Sequence, residues 1–499
     1  MVVKMEGSIP ARVRFAPSPT GHMHLGSART ALYDFLLAKQ TNGKFVVRIE
    51  DTDRKRFVEG AEQELLDGLK WTGLEWDEGP DKGGPYGPYR QSERKEIYLN
   101  YARELIKKGK AFYCFCSPQE LGEKRQKKLA AKENPHYDGT CRNISLHDAE
   151  KRISDGENHV IRFKAPDTGV TTVNDLIRGP ITVENRSIDD HILVKSDGWA
   201  LYHLAAMVDD HEMRITHVIR GAEWLPTLPL HALIVRAFEW DEPVWVHLSV
   251  FLKPSGKGKL SKRDTADLLK DGYSIFVKDL EELGYLPEAV INWIVLMGWS
   301  LDGSTEFFSL EDLVEKFSLK NLNPSPAAIN YTKLDYFNGL HIRNLSAEDL
   351  AERIKPFFEK SGFTTKKSVL EKVAPIIQKR IVTLDEAVEM AGFFFNDNIE
   401  PITEDMIAKD MSQAQSREVL KDVLSIIEES HSLETEETET RMREYVERSG
   451  YTPGQVFGIM RAAVTGQKVS PPLFESMEII GKQKVIERLT RAIKILKEQ

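Results

Sequence analysis

Two rhythms of apolar and polar residues alternate along the first part of the chain. Short apolar runs at 13–16 and 45–49 predict buried strands. Apolar residues three and four positions apart predict helices over 26–39 and from about 59 to 72. Strand, helix, strand and helix in this order predict a parallel sheet with right-handed crossovers.

The same α/β pattern returns after residue 200. Apolar segments at 202–208 and 215–219 precede a helix predicted over 225–238. We interpret this stretch as the second half of the first sheet, interrupted by an inserted domain that mixes helices and strands. The insertion begins after a loop rich in glycine and proline at 80–88.

From about residue 266 to the end the apolar spacing is mostly helical. The last predicted helix carries apolar residues at i, i+4, i+8 and i+11, which are Val485, Leu489, Ile493 and Leu496. The acidic, threonine-rich segment 428–439 is interpreted as a solvated connection between helices. The pattern therefore predicts an α/β domain with a parallel sheet, an α+β insertion and an all-α C-terminal region.

Composition narrows the class of protein. The chain has 499 residues, 41% hydrophobic and 29% charged, which predicts several folded domains rather than disorder. No apolar run of about 18 residues predicts a membrane span, and residues 1–14 lack the apolar core of a secretory signal. Three cysteines favour a reducing, cytoplasmic compartment. The net charge of −9 still permits a local basic surface that binds phosphate.

The first chemical motif lies where the first predicted strand turns into a helix. Residues 17–27 have the sequence PSPTGHMHLGS, placed at the carboxyl edge of a parallel sheet, where open α/β folds bind ligands. The helix N-terminus offers free N–H groups to phosphate. Gly26 has no Cβ, so a flat ring can lie against the backbone, and His24 can donate a hydrogen bond to phosphoryl oxygens.

The second motif lies about 240 residues later. Residues 253–264, KPSGKGKLSKRD, combine a cluster of cations with small, flexible residues. A mobile loop of this kind can close over a triphosphate and stabilise the charge that develops when pyrophosphate is displaced. A solvated basic loop is the alternative interpretation of this segment alone.

Together the two motifs resemble the signature sequences of class I aminoacyl-tRNA synthetases. His24-Leu25-Gly26-Ser27 is similar to the HIGH signature, with Ser27 in place of the second histidine, and Lys259–Arg263 is similar to KMSKS. The strings RFAPSPTG at 14–21 and RIEDTD at 48–53 narrow the resemblance to the glutamyl/glutaminyl branch, with the bacterial-type glutamyl-tRNA synthetases the nearest match.

The resemblance implies a fold and an activity. It implies ligation of L-glutamate to tRNA(Glu) through a glutamyl-adenylate, with ATP and Mg²⁺, and release of AMP and diphosphate. The implied domains are a discontinuous Rossmann-like catalytic domain at 1–89 and 201–256, an acceptor-end-binding insertion at 90–200, a stem-contact region with the KMSKS-like loop at 257–335, and helical anticodon-binding subdomains at 336–405 and 406–499.

The resemblance also assigns residues. His24, Lys259 and Lys262 are the expected catalytic residues. The expected ATP-binding residues are His22, His24, Gly26, Ser27, Lys259, Leu260, Ser261, Lys262 and Arg263. The expected glutamate-binding residues are Arg14, Ala16, Ser18, Glu50, Tyr202 and Arg220. Glu50 would hold the α-ammonium and Arg220 the side-chain carboxylate, which a guanidinium can bind in bidentate fashion. The alternative is that Glu50 and Arg220 pair with each other or with neighbouring charges.

All three cysteines lie within 28 residues, at Cys114, Cys116 and Cys141. Some family members hold zinc in this insertion, and the resemblance implies Cys114, Cys116, Tyr137 and Cys141 as ligands. Phenolate is not a usual zinc ligand, so a zinc site and unliganded thiols both stay open.

Nucleic-acid contacts are the least defined part of the sequence. The insertion carries five cations that fit either an acceptor-stem contact or a solvated helix face: Lys124, Arg125, Lys127, Lys128 and Lys132. By resemblance Arg380 is the anticodon candidate. We expect a monomer that binds L-glutamate and tRNA, and no membrane.

Several alternatives differ in what they require of the chain. A glutaminyl enzyme would show strand alternation after residue 330, and here the periodicity is helical. A small-molecule nucleotidyltransferase does not need the helical C-terminal region, and a non-catalytic tRNA-binding descendant would be expected to lose His24 or Lys262. Whether tRNA(Gln) is charged as well stays open.

Overall fold

The protein is described by a computed structural model over residues 10–53 and 58–498, with the side chains of Lys262 and Glu498 also outside the description. The chain forms two compact units. The first contains the residues up to Leu280 together with Val290–Tyr331, and the second contains Glu281–Ala289 and the residues from Thr332 onward. The finer division into five domains stays a prediction.

The strands of the described residues belong to the first unit. In chain order they are β1 Arg12–Phe15, β2 Lys44–Val47, β3 Ala111–Cys114, β4 Val160–Phe163, β5 Val170–Asp175, β6 Gly179–Glu184, β7 Ile192–Val194, β8 His217–Gly221, β9 Val244–Leu248, β10 Phe251–Leu252 and β11 Ala327–Ala328.

Parallel pairing of the strands confirms the predicted sheet. β1 pairs in parallel with β2, and β8 pairs in parallel with β9. The two halves lie side by side, because the Thr216 N–H donates to the Arg12 carbonyl oxygen at 2.8 Å. Since parallel strands share an orientation, residues that follow β1, β2 and β8 meet at one edge of the sheet.

The insertion contributes to this sheet as well as forming its own. β3, β4 and β7 make a separate antiparallel sheet, whereas β5 pairs in parallel with β9 at Asp175 and Trp245. The antiparallel β5–β6 hairpin thereby extends the sheet beyond its β9 edge. The sequence pattern had indicated an interruption of the first sheet and not an extension of it.

Helices make up most of the remaining described chain. They are α1 Leu25–Gln40, α2 Ala61–Trp71, α3 Lys95–Lys107, α4 Pro118–Ala130, α5 Leu146–Ser154, α6 Tyr202–Glu212, α7 Leu228–Ala237, α8 Thr265–Lys270, α9 Val277–Glu282, α10 Pro287–Val295, α11 Leu310–Lys316, α12 Tyr331–Asn344, α13 Ala347–Lys360, α14 Lys367–Ile377, α15 Glu386–Ala391, α16 Gln413–Glu429, α17 Thr435–Ser449, α18 Pro453–Thr465, α19 Leu473–Ile480 and α20 Lys482–Glu498. In the described ranges, no helix is both long and apolar enough to cross a membrane.

The second unit is helical, as its apolar spacing predicts. Val485, Leu489 and Leu496 of α20 are buried in its core. The predicted connection at 428–439 is wrong in part, because α17 begins at Thr435 and buries Thr438 at the start of a helical apolar stripe. Two acidic residues of that segment, Glu436 and Glu437, lie in the first turn, where they stabilise a helix through its dipole.

Helix α1 is buried on nearly all sides, including at Arg29 and Asp34. It packs against β1, β2 and β8 on the sheet and also against α11. The sequence predicted a single apolar face, but a helix with packed neighbours on both sides needs apolar residues all round. This packing fixes the N-terminal end of α1, where the first motif lies.

Candidate functional site

One cavity of about 490 Å³ lies at the carboxyl edge of the sheet, and both sequence motifs line it. The predicted site residues in its wall are Arg14, Ala16, Ser18, His24, Gly26, Ser27, Glu50, Tyr202, Arg220, Lys259, Leu260 and Ser261. His22 and Arg263 are not in the wall. The side chain of Lys262 lies outside the described residues, and its backbone begins a short 3₁₀ turn that ends at Asp264.

Helix α1 begins at the cavity with His24 as its N-cap. The Ser27 N–H donates to His24 Nδ1 at 3.2 Å, and the Ser27 hydroxyl lies 3.2 Å from His24 Nε2. A Cβ on Gly26 would lie 3.1 Å from the His24 ring. The space that a Cβ of Gly26 would fill is therefore taken by the imidazole of His24 itself. Ser27, which stands where the HIGH signature has its second histidine, holds that ring.

His22 lies apart from this arrangement. Its Nδ1 pairs with a carboxylate oxygen of Glu64, its ring packs edge-on against Phe276, and its side chain is half exposed. The His22 pairing connects the turn to helix α2, so the structure places this residue at the support of the loop and not in the cavity wall.

The lysine-rich segment forms a short hairpin whose end is fixed by Asp264. The Lys253 Nζ lies 2.6 Å from Asp264 Oδ1, and the Ser261 N–H and hydroxyl both donate to Oδ2 at 2.9 Å. The Leu260 N–H also donates to the Phe251 carbonyl oxygen. These bonds hold Lys259 and Ser261 at the cavity.

Backbone pairing joins the two motifs through the chain that follows the lysine-rich segment. The Leu25 N–H donates to Ile275 O at 2.8 Å, and the Val277 N–H donates to Met23 O at 3.0 Å. Arg29 adds a buried tie, because its guanidinium donates to the carbonyl oxygens of Met297 and Ser249. The residue at 249 precedes the lysine-rich segment, so α1 positions both walls of the cavity.

A network of buried charges lies beneath the amino-acid end of the cavity. Asp210 accepts from Arg14 Nε at 3.0 Å and from Arg48 Nη1 at 2.7 Å. Burial raises the pKa of Asp210, but the two guanidinium groups lower it by more. The pKa of Asp210 therefore lies below its ordinary value. Asp209 on the same helix accepts from Arg94 Nε at 2.7 Å. The buried carboxylates thereby hold Arg14, the arginine of this network that lines the cavity, in place.

Glu50 belongs to the same network. Its Oε1 accepts from Arg48 Nη2 at 3.1 Å, and the side chain is almost fully buried. Burial raises the pKa of Glu50 despite the nearby Arg48 and Arg14. The predicted alternative in which Glu50 pairs with a neighbour is thus present, but the neighbour is Arg48 and not Arg220.

Arg220 is a predicted binding residue whose guanidinium has unused donors. It lies in β8, next to the last residue of the strand, and is 5% exposed. Its Nε donates to His247 Nε2 at 2.9 Å, whereas Nη1 and Nη2 have no hydrogen-bond partner among the described residues. Burial lowers the pKa of Arg220, and the adjacent Tyr202 opposes the shift. Tyr202 stacks on Trp224 at 4.2 Å, which closes this end of the cavity.

The three cysteines form a cluster in the insertion. Their sulfur atoms lie within 4.8 Å of one another, with Cys116 and Cys141 3.6 Å apart. The Tyr137 hydroxyl lies 3.5 Å from Cys114 Sγ and 3.7 Å from Cys116 Sγ, and it accepts from the Cys141 N–H. A tetrahedral zinc with sulfur at about 2.3 Å holds its sulfurs about 3.8 Å apart, so the spacing of the thiols fits.

The nucleic-acid candidates lie on exposed elements. Helix α4, with four of the five cations of the insertion, buries none of its side chains, and Lys124 pairs with Asp138 at 2.8 Å. Arg380 is exposed in the turn after α14 in the second unit. Its charge lowers the pKa of Arg461, after burial as the larger cause. These two cations therefore lie near each other.

Sequence reasoning missed several residues of the site. Arg48 and Glu50 are two positions apart in extended chain, so their side chains lie on the same face. Their pairing could therefore be predicted from the RIEDTD string. Asp210, Arg29 and His247 gave no such signal, because each acts across a contact of more than 25 residues in the chain. Trp224 lies just before the helix predicted over 225–238, and no prediction placed it in the cavity wall.

Two family descriptions match the chain. Residues 10–336 match "tRNA synthetases class I (E and Q), catalytic domain", and residues 349–493 match "Anticodon binding domain". A glutamate–tRNA ligase of Dehalococcoides mccartyi is 44% identical over 492 residues, 98% of each chain, and one of Borreliella burgdorferi is 41% identical over 97% of this chain and 99% of the other.

Solved structures give the same result. The crystal structure of a glutamate tRNA ligase from Elizabethkingia meningosepticum, in complex with its amino acid, superimposes with a TM-score of 0.88 at 35% identity. The match covers 98% of this chain and all of the other. The helical second unit and these similarities do not favour a glutaminyl enzyme. The chain belongs to the glutamate–tRNA ligase family of class I aminoacyl-tRNA synthetases.

Proposed function

We propose that this chain ligates L-glutamate to tRNA(Glu) by way of glutamyl-adenylate, with ATP as the energy source and AMP and diphosphate as products. One observation carries the assignment of the site: a single cavity of about 490 Å³ has both sequence motifs in its wall. Its size suits a nucleotide joined to a small amino acid, since ligand cavities of this kind measure roughly 300–1,000 Å³.

The nucleotide end of the cavity lies between the start of α1 and the lysine-rich segment. His24 and the first N–H groups of α1 bind phosphoryl oxygens, and Lys259 with Lys262 stabilises charge on the departing diphosphate. Mg²⁺ bound with ATP would neutralise part of the phosphate charge, and His24, Lys259 and Lys262 would act on the remainder. Positioning and charge stabilisation account for most of the acceleration.

The amino-acid end provides charges of opposite sign. Glu50 receives the α-ammonium, and the unused donors of Arg220 receive the side-chain carboxylate. Glutamine would leave the buried guanidinium without a counter-charge, which costs several kcal/mol and corresponds to a discrimination of roughly 100-fold or more.

The tRNA contacts are assigned from the family and the exposed cations. The insertion binds the acceptor end, the helical second unit reads the anticodon, and Arg380 contributes to that reading. Exposed cations at such positions hold phosphates and set the register of the RNA. We propose that the protein acts as a cytoplasmic monomer.

Zinc is proposed at Cys114, Cys116 and Cys141, with the Tyr137 hydroxyl beside them. Three sulfurs that lie within 4.8 Å of one another, two of them 3.6 Å apart, support the assignment. Elemental analysis of protein purified without chelators tests it. About one zinc per chain is expected, and less than about 0.2 per chain removes the proposal, because a closed structural site is nearly full.

The activity is tested by charging purified tRNA(Glu) and tRNA(Gln) with radiolabelled glutamate, with and without ATP. We expect ATP-dependent charging of tRNA(Glu), and the tRNA(Gln) arm decides whether the enzyme discriminates. Lys259→Ala and Lys262→Ala are expected to lower kcat/KM by roughly 100-fold or more. The matched control is Lys257→Ala, in the same segment but outside the cavity wall, with a change of less than about threefold. Undiminished charging by Lys262→Ala contradicts the mechanism.

A further inference from the structure

A chain of three buried side chains leads away from the amino-acid end of the cavity. Arg220 and His247 are direct partners in the register of β8 and β9, so their side chains lie on the same face of the sheet. His247 is fully buried, and behind it Asp175 ends β5, the strand that the insertion adds to the sheet. Neither His247 nor Asp175 lines the cavity.

Hydrogen bonding fixes the tautomer of His247. The guanidinium of Arg220 can only donate, so the His247 Nε2 that it contacts at 2.9 Å must be unprotonated. The proton therefore lies on Nδ1, which donates to Asp175 Oδ2 at 2.7 Å. A protonated imidazole would place an N–H against the N–H of Arg220.

Asp175 is held as an acceptor by other donors as well. Its Oδ2 accepts from the His247 N–H at 3.0 Å, and its Oδ1 accepts from the N–H groups of Ile177 and Arg178 at 3.2 and 3.0 Å. Because every group that contacts the Asp175 carboxylate donates a hydrogen bond to it, these bonds hold the carboxylate away from Arg220. A neutral ring thus separates the buried carboxylate from the buried guanidinium.

This separation has a consequence for binding. A carboxylate placed directly on Arg220 would balance its charge. A guanidinium whose charge is already balanced would bind the amide of glutamine nearly as well as the carboxylate of glutamate. The neutral His247 instead orients the guanidinium by its Nε, so that no carboxylate of the described residues pairs with it and Nη1 and Nη2 keep no hydrogen-bond partner there. Arg220 gains a paired carboxylate only when a ligand supplies one.

We infer that His247, held by Asp175, is a positioning residue for selectivity: it orients Arg220 and keeps the charge of Asp175 away from it, so that the site demands a ligand carboxylate. The inference rests on the proposed binding of the glutamate side chain at Arg220. The histidine acts through Arg220 and touches no reacting atom.

Two variants separate the position of the charge from its amount. His247→Gln keeps a neutral acceptor for Arg220, whereas the double variant Asp175→Asn with His247→Glu moves the one carboxylate directly onto Arg220 and leaves the total charge of the cluster unchanged. The measurement is kcat/KM for glutamate and for glutamine in charging tRNA, together with the KM for ATP.

We expect the double variant to lower the glutamate-to-glutamine ratio by roughly 100-fold, through the KM for glutamate, since the demand for a counter-charge disappears. His247→Gln is expected to retain the ratio within about threefold, although its KM for glutamate rises. The KM for ATP stays the same in both variants. Equal ratios in the two variants overturn the inference.

The design also separates this inference from the proposed function. If the unaltered protein does not charge tRNA with glutamate, the proposed function fails; if it does and the ratios are equal, only the role of His247 fails. Should the double variant not fold, ¹⁵N spectra of the full-length protein labelled at histidine decide, with His247→Gln identifying the signal. A neutral ring protonated at Nδ1 supports the inference, and protonation at Nε2 overturns it.

Discussion

Replacing Asp210 by asparagine perturbs the buried charge network with almost no change in volume. Asp210 lies 3.0 Å from Arg14 and 2.7 Å from Arg48, and all three side chains are buried. Removing one partner of such a pair leaves an uncompensated buried charge, which costs about 3–5 kcal/mol. An asparagine oxygen can still accept one hydrogen bond, so we expect the lower end, about 3 kcal/mol.

Tryptophan fluorescence can follow this loss in the first unit alone. The chain has eight tryptophans, and each of them precedes residue 300, within the first unit. A loss of about 3 kcal/mol should lower the midpoint of thermal unfolding by about 4–5 °C, given the size of the first unit. The KM for glutamate should rise as well, because Arg14 lines the cavity and loses its support.

The matched control is Asp267→Asn, which removes an aspartate that is also paired with a cation but is exposed. Asp267 lies 2.7 Å from Lys270, and both side chains are more than 70% exposed. Exposed pairs contribute little, so no measurable shift is expected. A midpoint for Asp210→Asn within about 1 °C of the unaltered protein would refute the reasoning that each buried guanidinium of the network needs its carboxylate partner.

Three further predictions concern other parts of the chain. Gly26→Ala places a Cβ 3.1 Å from the His24 ring, so kcat/KM for ATP should fall by roughly 10–100-fold, and an unchanged value argues against this contact. Burial lowers the pKa of His203 to about 4. The unfolded chain then binds the proton first, so His203 should contribute a loss of about 2–3 kcal/mol in the first unit as pH falls from about 6.5 to about 4, and His203→Gln should remove that contribution in urea titrations at each pH. Arg380→Ala should raise the KM for tRNA several-fold without changing that for glutamate, with Lys360→Ala as an exposed control.

The parts of the site that the sequence predicts are those set by local pattern. The pattern of short apolar strands and intervening helices places Glu50 and Arg220 at the ends of parallel strands, whereas Arg14 was assigned by resemblance. Because such ends share one edge of a sheet, their meeting in one cavity follows from the pattern alone. The lysine-rich segment needed the resemblance, since spacing does not say where a loop folds.

The remainder depends on contacts between distant parts of the chain. No local pattern indicates that a hairpin of the insertion pairs with β9, and without that pairing Asp175 has no relation to Arg220. His22 shows the opposite error. Its place inside the first motif suggested a ligand contact, but the turn of the chain directs it to Glu64 on α2.

The central claim is that the two motifs enclose one nucleotide site. A crystal structure of this protein with a non-hydrolysable glutamyl-adenylate analogue tests it most directly. The account predicts the analogue between His24 and Ser261, with its side-chain carboxylate on Nη1 and Nη2 of Arg220. An analogue bound outside the cavity, or bound in it with that carboxylate away from Arg220, would contradict the account.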